Sequence, residues 1–412
     1  MSPPSGSDAP AAGPRAGIHP NVVALGFTSL LTDVSSEMLV PILPLFVTVT
    51  LGASVSSLGV IEGVAECTAS VMRLASGWLS DRIGRRKPFA AFGYALSGVA
   101  KAAMALASSW AFVLAMRFSD RLGKALRSPP RDALIADSTA AAHLGRAFGL
   151  HRAMDTLGAA IGPLLGWWLL SHWQSLGAEG YRRVFLVSAI PAALGVLVLL
   201  LFVKAAPAAP RVARSLVQQA GALGAPFRRF LVVDAAFQLG NSSMAFVLLR
   251  TQAAGWSAGE VSLVYLAYNL AYAALAWPFG GLSDRIGRRP LLWAAYAVYA
   301  AAYATLALHA TKWGVVAAFL LLAAHSALIE GQARSLVADL VPRDLRATAY
   351  GLHATVVGLA LLPASVLAGA LWDRVGPAAP FLLGATLAAV AAILLAVLLP
   401  PSREKGDRHA VA

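Results

Sequence analysis

The sequence is poor in charge and in cysteine, and both shortages exclude whole classes of protein. Charged residues make up only 13% of its 412 residues, about half the share found in soluble domains. Apolar residues make up 58%, which leaves too little polar surface to cover a water-soluble globule of this size. Disorder requires the opposite composition, and a disulfide scaffold requires more than the single Cys67. What remains is a protein that crosses a membrane several times.

Motifs for common enzyme and metal chemistry are also missing from the sequence. There is no Gly-x4-Gly-Lys-Ser/Thr loop of the kind that binds nucleoside triphosphates. There is no paired Cys/His spacing of the kind that holds a metal ion. We therefore expect a protein that is not an enzyme and that uses no ATP, no cofactor and no metal.

Long apolar stretches are what the sequence does contain. Each is about 20 residues or longer, enough to cross roughly 30 Å of hydrocarbon as a helix. The twelve predicted spans cover 22–48, 55–80, 89–108, 111–137, 147–171, 183–203, 229–252, 258–282, 290–310, 314–339, 347–371 and 378–399. The sequence thus predicts an all-α membrane protein with twelve transmembrane helices.

The distribution of bases predicts the orientation in the membrane. If the N-terminus is cytoplasmic, 20 of the 33 Lys and Arg residues fall in cytoplasmic segments and five fall outside, with the other eight within spans. Cytoplasmic segments of membrane proteins carry such an excess of bases. We expect both termini to be cytoplasmic, and the net charge of +13 to reflect topology and not nucleic-acid binding.

An internal repeat divides the chain into halves. Gly77–Arg86 recurs as Gly280–Arg289 at a shift of 203, and Ala147–His151 recurs as Ala349–His353 at a shift of 202. Ala136-Asp137 likewise recurs as Ala338-Asp339. The predicted organisation is a disordered tail (1–20), a six-helix bundle (21–203), a Pro- and Gly-containing cytoplasmic linker (204–228), a second six-helix bundle (229–400) and a cytoplasmic tail (401–412). Parallel repeats of six spans are an architecture of secondary transporters.

The repeated loop carries a family resemblance. Its pattern Gly-x3-Asp-Arg-x-Gly-Arg-Arg is met twice, by Gly77, Asp81, Arg82, Gly84, Arg85 and Arg86, and by Gly280, Asp284, Arg285, Gly287, Arg288 and Arg289. On these motifs the whole chain resembles the major facilitator superfamily. The resemblance implies two bundles related by a pseudo-twofold axis, a gating role for these loops, and a monomer that functions alone in the bacterial inner membrane.

A second pattern in the fifth span is similar to that of drug:proton antiporters. It is Gly-x8-Gly-x3-Gly-Pro-x2-Gly, met by Gly149, Gly158, Gly162, Pro163 and Gly166. The resemblance implies export, whereas ordinary close packing of small residues is the alternative. A third family pattern, Arg-x-x-Gln-Gly-x-Gly in span four, is only partly kept, because Asp120 and Arg121 replace its Gln and first Gly.

Span four concentrates charge on one face. Its charged residues fall within an arc of about 140° on a helical wheel, and they are Arg117, Asp120, Arg121, Lys124, Arg127, Arg131 and Asp132. A charge in hydrocarbon costs about 3 kcal/mol or more, so this face must point at other helices or water. Pro129 and Pro130 are expected to break or bend the helix.

Acidic residues in other spans are the expected partners of these bases. Asp33 and Glu37 share one face of span one, and Glu62 and Glu66 share one face of span two. Asp155 is a lone acid in span five and a functional candidate by default. A network of this kind predicts proton coupling, since burial favours a neutral carboxyl whereas a neighbouring base favours the carboxylate. The alternative is a static lattice of ion pairs that holds the helices together.

The second half offers an aromatic and amide surface as a candidate substrate pocket. Its residues are Asp234, Gln238, Asn241, Tyr265, Tyr268, Asn269, Tyr272, Glu330 and Arg334. His151, His325 and His353 are interpreted as structural residues. Overall the sequence predicts a proton-coupled exporter of a small molecule. A symporter that imports a polar or anionic metabolite and a non-transporting membrane sensor or scaffold remain alternatives.

Overall fold

The structure is a computed structural model, and it describes residues 18–83, 85–140, 143–204, 223–329, 332–342 and 345–399. Most of the predicted N-terminal tail, linker and C-terminal tail lie outside these residues. The side chains of Leu74, Trp78, Asp81, Gln174, Ser283, Asp284, Arg285, Arg334 and Ala347 are not described. Within the described residues every regular element is helical.

The first half contains six long helices. They are α1 (Pro20–Leu39), α2 (Val55–Ile83), α3 (Arg86–Ala103), α4 (Trp110–Asp137), α5 (Leu144–His172) and α6 (Ala178–Phe202). After α1 the chain continues through a three-residue helical turn, Leu43–Leu45, into a π-helical segment, Phe46–Thr50. A short 3-10 turn, Met104–Leu106, extends α3.

The second half repeats this arrangement with two of its spans broken into two helices each. Its helices are α7 (Ala225–Gly240), α8 (Met244–Ala253), α9 (Ala258–Ile286), α10 (Arg288–Leu308), α11 (Lys312–Ile329), α12 (Gln332–Leu340), α13 (Arg346–Arg374) and α14 (Ala379–Leu398). The pairs α7–α8 and α11–α12 each make one crossing. The described residues thus contain twelve helical segments of crossing length, counting the charged α4, and the all-helical fold is that predicted from the sequence.

Eleven segments of the described residues are long and apolar enough to cross a membrane. The twelfth predicted span corresponds to α4, which has 28 residues but is too highly charged to count among the eleven. Its length is within one residue of those of α2 and α5, so its charges and not its length distinguish it. The partners of those charges lie on neighbouring helices, as the next subsection shows.

The repeat is visible in the helix bounds themselves. α2 and α9 have the same length at a shift of 203, and α5 and α13 match at a shift of 202. Two long seams join the halves, α2 against α13 and α5 against α9, and α8 also contacts the turn Leu43–Leu45. In the repeat α2 corresponds to α9, and α13 corresponds to α5. The two seams are therefore equivalent, and the repeat in sequence produces a pseudo-twofold relation in space.

Candidate functional site

A cavity of about 360 Å³ lies between the two halves. In the first half it is lined from α1 to α4, and in the second half from the break between α7 and α8 and from α9. Its charged lining residues are Asp33, Glu37, Glu62, Glu66, Lys101, Arg117, Asp120, Arg121 and Lys124. Eight of these nine were predicted as network residues from the sequence, and Lys101 was not.

Arg117 of α4 is the centre of the most enclosed charge cluster. Its Nη2 and Nε donate to Oε1 of Glu62 on α2 over 2.8 and 3.1 Å, and its Nη1 lies 3.4 Å from Oδ2 of Asp120. Oδ1 of Asp120 accepts from the hydroxyl of Ser97 on α3 over 2.5 Å. Glu62 and Asp120 are buried, so Arg117 neutralises charge that burial would otherwise penalise.

Two further bases approach the cavity from neighbouring positions. Arg121 lies one turn along α4 from Arg117 and pairs with Glu66 of α2 over 2.9 Å. Nζ of the buried Lys101 on α3 donates to the hydroxyl of Ser36 over 3.0 Å. The prediction that the acids of span two meet the bases of span four is thus confirmed for the geometry of Glu62 and Glu66.

The acids of span one form no ion pair with a base of span four among the described residues, although the charge of Lys124 acts on both at longer range. Glu37 accepts a hydrogen bond from the phenol of Tyr265 over 2.8 Å, and so its direct partner is neutral. Asp33 forms no hydrogen bond or ion pair with any residue the structure describes, although it lines the cavity. Lys124 also lines the cavity without a paired acid among the described residues. The cause is packing, because α2 contacts α4 extensively whereas α1 packs mainly on α5 and α6.

Two hydrogen bonds cross the cavity from one half to the other. Besides Tyr265 and Glu37, the hydroxyl of Ser243 donates to Oε2 of Glu62 over 2.9 Å. Ser243 lies in the non-helical break between α7 and α8, where its hydroxyl also accepts from the N–H of Ala245. Both cavity acids that face the second half are therefore bound to it in this conformation.

The glycines of the fifth span hold α5 against the helix that carries Asp33 and Glu37. A Cβ built on Gly158 would lie 2.9 Å from Cβ of Asp33, and one built on Gly162 would lie 2.8 Å from Cβ of Glu37. Gly166 packs on the carbonyl of Met38 in the same way. Gly149 differs, since a Cβ there meets no atom within 4 Å. Three of the four motif glycines thus permit close approach of α1 and α5.

Asp155 lies one turn of α5 from Gly158 and contacts its own helix. Its Oδ2 is 3.4 Å from Nδ1 of His151, which is buried. Its Oδ1 is buried with no hydrogen-bond partner among the described residues. In the second half His353 takes the place of His151, and its Nε2 lies 2.8 Å from Oδ2 of Asp234, whose Oδ1 accepts from Tyr296 over 3.1 Å. The histidines of the repeat thus both face an acid, the half-buried Asp155 in the first half and the buried Asp234 in the second.

The expected break of span four at Pro129 and Pro130 does not occur, since α4 is continuous from Trp110 to Asp137. Pro130 has no N–H for the carbonyl of Leu126. The hydroxyl of Ser76 on α2 donates to that carbonyl over 3.0 Å. Gly77 follows Ser76, and its Cβ position lies 3.6 Å from Pro129. The first loop motif therefore begins on a surface of α2 that supplies the hydrogen bond the proline cannot.

The repeated loops lie at one end of the bundle, which we call the motif end. Here Arg86 forms an ion pair with Asp137, and Arg288 forms its counterpart with Asp339 over 2.6 Å. Gly287 has a φ of 87°, a conformation that favours glycine. Gly84 lies outside the described residues, as do the side chains of Asp81, Asp284 and Arg285. The other motif residues (Arg82, Arg85, Gly280 and Arg289) lie at the same end of the bundle.

The other end of the bundle, the opposite end, is closed by contacts between the halves. The carboxylate of Asp373 at the end of α13 accepts from the N–H groups of Val55 and Ser56 over 3.2 and 2.7 Å, and from the hydroxyl of Ser56 over 2.6 Å. These N–H groups belong to the first turn of α2, where they have no partner within the helix. Asp373 thus caps a helix of the other half.

Contacts along both seams continue from the opposite end to mid-height. Gly59 packs on Ser365 and Gly358 on Ser70 in the α2–α13 seam. In the α5–α9 seam Asn269 donates to the carbonyl of Ala159 over 3.0 Å, and Arg152 donates to the phenol of Tyr272 over 2.6 Å. Cβ atoms built nearer the motif end, on Gly149, Gly280 and Gly281, meet no atom within 4 Å. Among the described residues, the contacts of both seams are thus concentrated between the opposite end and mid-height.

The predicted polar surface of the second half divides between two cavities. Tyr265 and Asn241 line the central cavity, and Gln238, Asn241 and Tyr268 line a neighbouring one of about 320 Å³. Asn269 and Tyr272 lie instead in the α5–α9 seam, and Asp234 pairs with His353. Glu330 lies outside the described residues, as does the side chain of Arg334.

Sequence reasoning missed several residues of the site. A lone lysine in an apolar span is expensive unless it has a role, and that signal would have found Lys101. Asp137 and Asp339 were noticed as a repeat but not as partners of Arg86 and Arg288. Nothing in the sequence marks Ser97, Ser243 or Asp373, because each acquires its role from a helix distant in the chain.

Known proteins resemble this chain in both of its halves. The family model of the Major Facilitator Superfamily matches residues 25–236 and again residues 230–411. An uncharacterized MFS-type transporter of Methanocaldococcus jannaschii is 36% identical over 383 residues, which cover 91% of this chain and 94% of the relative. The multidrug resistance protein MdtG of Proteus mirabilis is 31% identical over 172 residues, 41% of each chain.

Solved structures share the fold at low sequence identity. The nucleoside transporter NupG superposes with a TM-score of 0.74 at 15% identity, covering 92% of this chain and 99% of that one. A bacterial homolog of the human lysosomal transporter Spinster, in an inward-facing and unoccupied conformation, superposes with a TM-score of 0.69 at 18% identity, covering 92% and 94%.

Proposed function

The chain belongs to the Major Facilitator Superfamily and is a multi-pass membrane transporter, and from this premise we propose that it exports a small molecule across the bacterial inner membrane in exchange for protons. The excess of bases at the motif end supports a cytoplasmic location for that end and for both termini. With the seams tight at the opposite end, the described conformation is then the one open to the cytoplasm. Alternating access requires the halves to rock about the central cavity, working as a monomer.

Proton coupling is proposed from the environment of Asp33. Glu62, Glu66 and Asp120 each have an arginine as direct partner, and an arginine does not give up its proton. Asp33 is in the cavity with no direct partner among the described residues, so its carboxyl group can gain or lose a proton without breaking an ion pair. Glu37 is the second candidate, because its direct partner is the neutral Tyr265.

The two hydrogen bonds across the cavity couple the protonation state of the acids to the relative position of the two halves. Glu37 and Glu62 accept from Tyr265 and Ser243 of the second half. A carboxylate accepts more strongly than a neutral carboxyl group. Rocking of the halves therefore changes the environment of both acids, and a ligand or proton that favours one position shifts the equilibrium between the two.

The direction of transport is proposed from the fifth span and from the relatives. Its glycine pattern resembles that of drug:proton antiporters, and three of its glycines pack on the helix that carries Asp33 and Glu37. Several partial relatives are named as multidrug resistance proteins. Import of a polar or anionic metabolite by symport is the second candidate, favoured by Lys124, which lines the cavity without a paired acid among the described residues.

Proton coupling can be tested without a known substrate through the conformational equilibrium. Spin labels on cysteines introduced by Arg85→Cys and Pro290→Cys, with Cys67→Ser, report the distance between the halves at the motif end. We expect the distance distribution to change with pH in this parent and to lose that change in Asp33→Asn. The matched control Glu179→Gln removes an exposed acid that pairs within its own helix and should behave as the parent. An unaltered pH response in Asp33→Asn would exclude Asp33 as the coupling residue.

Direction is tested in membrane vesicles of both orientations with an imposed pH gradient. Ethidium and benzoate serve as cationic and anionic aromatic probes. Exchange predicts that a transported probe dissipates an acid-inside gradient when it enters inside-out vesicles. Symport predicts probe accumulation in right-side-out vesicles with an acid exterior. Flux that ignores the pH gradient would contradict proton coupling, and a scaffold would move neither probes nor protons.

A further inference from the structure

A second cavity lies inside the C-terminal half, next to the central one. It has a volume of about 320 Å³ and is lined from α7, α8, α9, α10 and α11. Asn241, Ser242 and Met244 line both cavities. Asn241 and Ser242 belong to the break between α7 and α8, where the chain leaves the helix, and Met244 begins α8. The second cavity is therefore a side compartment of the central cavity, and we call it the aromatic compartment.

Four aromatic side chains, Phe237, Tyr268, Tyr299 and Tyr303, form part of its wall. Phe237 meets Tyr299 edge-on, with ring centroids 4.9 Å apart, and Tyr299 stacks on Tyr303 with centroids 4.1 Å apart. The tyrosine hydroxyls are engaged by the protein: Tyr299 donates to the side chain of Asn241, and Tyr303 to the carbonyl of Ser242. The hydroxyl of Tyr268 shares a hydrogen bond with Ser326 over 2.9 Å. What these residues present to the cavity is ring surface, which favours a flat aromatic guest.

His325 contributes a hydrogen-bond acceptor to this wall. Its Nδ1 lies 2.8 Å from the carbonyl oxygen of Ala295. A carbonyl only accepts, so Nδ1 carries the hydrogen, and in the neutral ring Nε2 is left with a lone pair. Among the described residues Nε2 has no partner, and it is not sealed inside the protein.

Gln238 contributes a donor. Nδ2 of Asn241 donates to Oε1 of Gln238 over 2.9 Å, and Oδ1 of Asn241 lies 3.1 Å from the hydroxyl of Tyr299, which also reaches the carbonyl of Gly240 over 3.3 Å. Nε2 of Gln238 is therefore the group left over, and no described residue accepts from it. The compartment thus combines aromatic walls with one open acceptor and one open donor.

We propose that the aromatic compartment binds a planar heteroaromatic ring that donates one hydrogen bond to Nε2 of His325 and accepts one from Nε2 of Gln238. The rest of the substrate lies in the central cavity, whose lining carries both signs of charge. The substrate class is a polar or charged small molecule with such a ring. A compartment of this size, lined by aromatic and aliphatic side chains with a few placed polar groups, has the character of a ligand site. This assignment deepens the proposed transport function and rests on it.

Three bicyclic probes of equal size test the assignment. Benzimidazole has one ring N–H and one unprotonated ring nitrogen, indole has the N–H alone, and indane has neither. The purified protein is titrated with each at pH 8, and binding is followed by thermal stabilisation, which rises with occupancy of the native state. We expect benzimidazole to bind best, indole about fivefold or more weakly, and indane more weakly again, because each unpaired polar group of the site costs affinity.

Two variants assign the preference to residues. His325→Phe keeps a ring and removes the acceptor, and Gln238→Leu removes the donor. We expect each to lower benzimidazole affinity about fivefold or more and to leave indane binding within about twofold. The matched controls His172→Phe and Gln252→Leu alter residues that line neither of the two cavities and should bind as the parent does. Two separate variants guard against misfolding of one, which a shifted melting temperature without probe would reveal.

The results separate this proposal from the proposed function. Equal binding of the three probes, no saturable binding of any, or unchanged benzimidazole affinity in both folded variants would overturn the heteroaromatic assignment. Such a result would not contradict proton coupling, which is tested separately by the pH response of the spin-labelled protein. Conversely, the binding series uses no pH gradient, so ordered probe affinities together with a pH-insensitive conformational equilibrium would overturn proton coupling alone.

Discussion

Tyr265 donates its phenolic hydrogen bond to Oε2 of Glu37 over 2.8 Å, and the two residues belong to different halves of the repeat. The bond exists in a conformation whose seams are tight at the opposite end. Separation of the halves at that end moves α9 relative to α1 and breaks it. A hydrogen bond to a charged group contributes about 1.5–3 kcal/mol, enough to bias the equilibrium between two conformations by tenfold or more.

The first prediction concerns this bond. Tyr265→Phe removes the hydroxyl and keeps the ring, so we expect the conformation open at the motif end to lose about tenfold or more in population. The spin labels at positions 85 and 290 then report shorter distances. Tyr350→Phe, which alters an exposed tyrosine at the motif end, is the control. An unchanged distance distribution in Tyr265→Phe would show that the bond does not favour either conformation.

The second prediction concerns the glycines of α5. Gly162→Ala places a methyl group 2.8 Å from Cβ of Glu37, and overpacking of this kind costs about 1–3 kcal/mol. We expect a lower melting temperature and loss of the pH response. Gly149→Ala is a matched control in the same helix and motif, because its Cβ meets no atom within 4 Å. Equal effects of the two substitutions would refute a packing role for the motif.

The third prediction compares a buried ion pair with an exposed one. Loss of one partner of a buried pair costs about 3–5 kcal/mol, so Arg117→Met should strongly destabilise the protein by leaving Glu62 and Asp120 without their base. The double variant Arg117→Met with Glu62→Gln should recover part of that loss. Arg183→Met breaks the pair with Glu179, whose side chains are 47% and 55% exposed, and should cost at most about 1 kcal/mol. Denaturant melts of the parent, these three variants and the single variant Glu62→Gln decide the comparison; additive effects of Arg117→Met and Glu62→Gln would contradict direct coupling.

The fourth prediction concerns closure at the opposite end. Asp373→Ala removes the cap of α2 that the second half supplies, and loss of a cap costs about 0.5–2 kcal/mol. Because the cap joins the halves, we expect the cost to appear as a shift toward the conformation open at the opposite end. Ser54→Ala provides the contrast, since Ser54 accepts from the N–H of Ser57 within the same half. That substitution should lower stability and leave the spin-label distances unchanged; a shift in both variants would argue that helix stability alone sets the equilibrium.

The ion pairs of Arg86 and Arg288 show which features of the repeat could be predicted from the sequence and which could not. The loop motif aligns Arg86 with Arg289 at a shift of 203, whereas the ion pairs align Arg86 with Arg288 at the shift of 202 shared by Asp137 and Asp339. One residue of offset between two helices is invisible until the partners are known. In span four the two prolines predicted a break, and a serine of another helix keeps the helix continuous.

The sequence by itself determined the number of crossings, the repeat, and the face of span four on which the charges lie. These follow from hydrocarbon thickness and helical periodicity, which are properties of one segment at a time. Only the tertiary structure decided that Glu62 and Glu66 meet arginines, that Glu37 meets a tyrosine of the other half, and that Asp33 is left without a direct partner among the described residues. The reason is that a helix fixes the spacing of its own side chains, whereas the helix they face is selected by the close packing that glycines such as Gly158 and Gly162 permit.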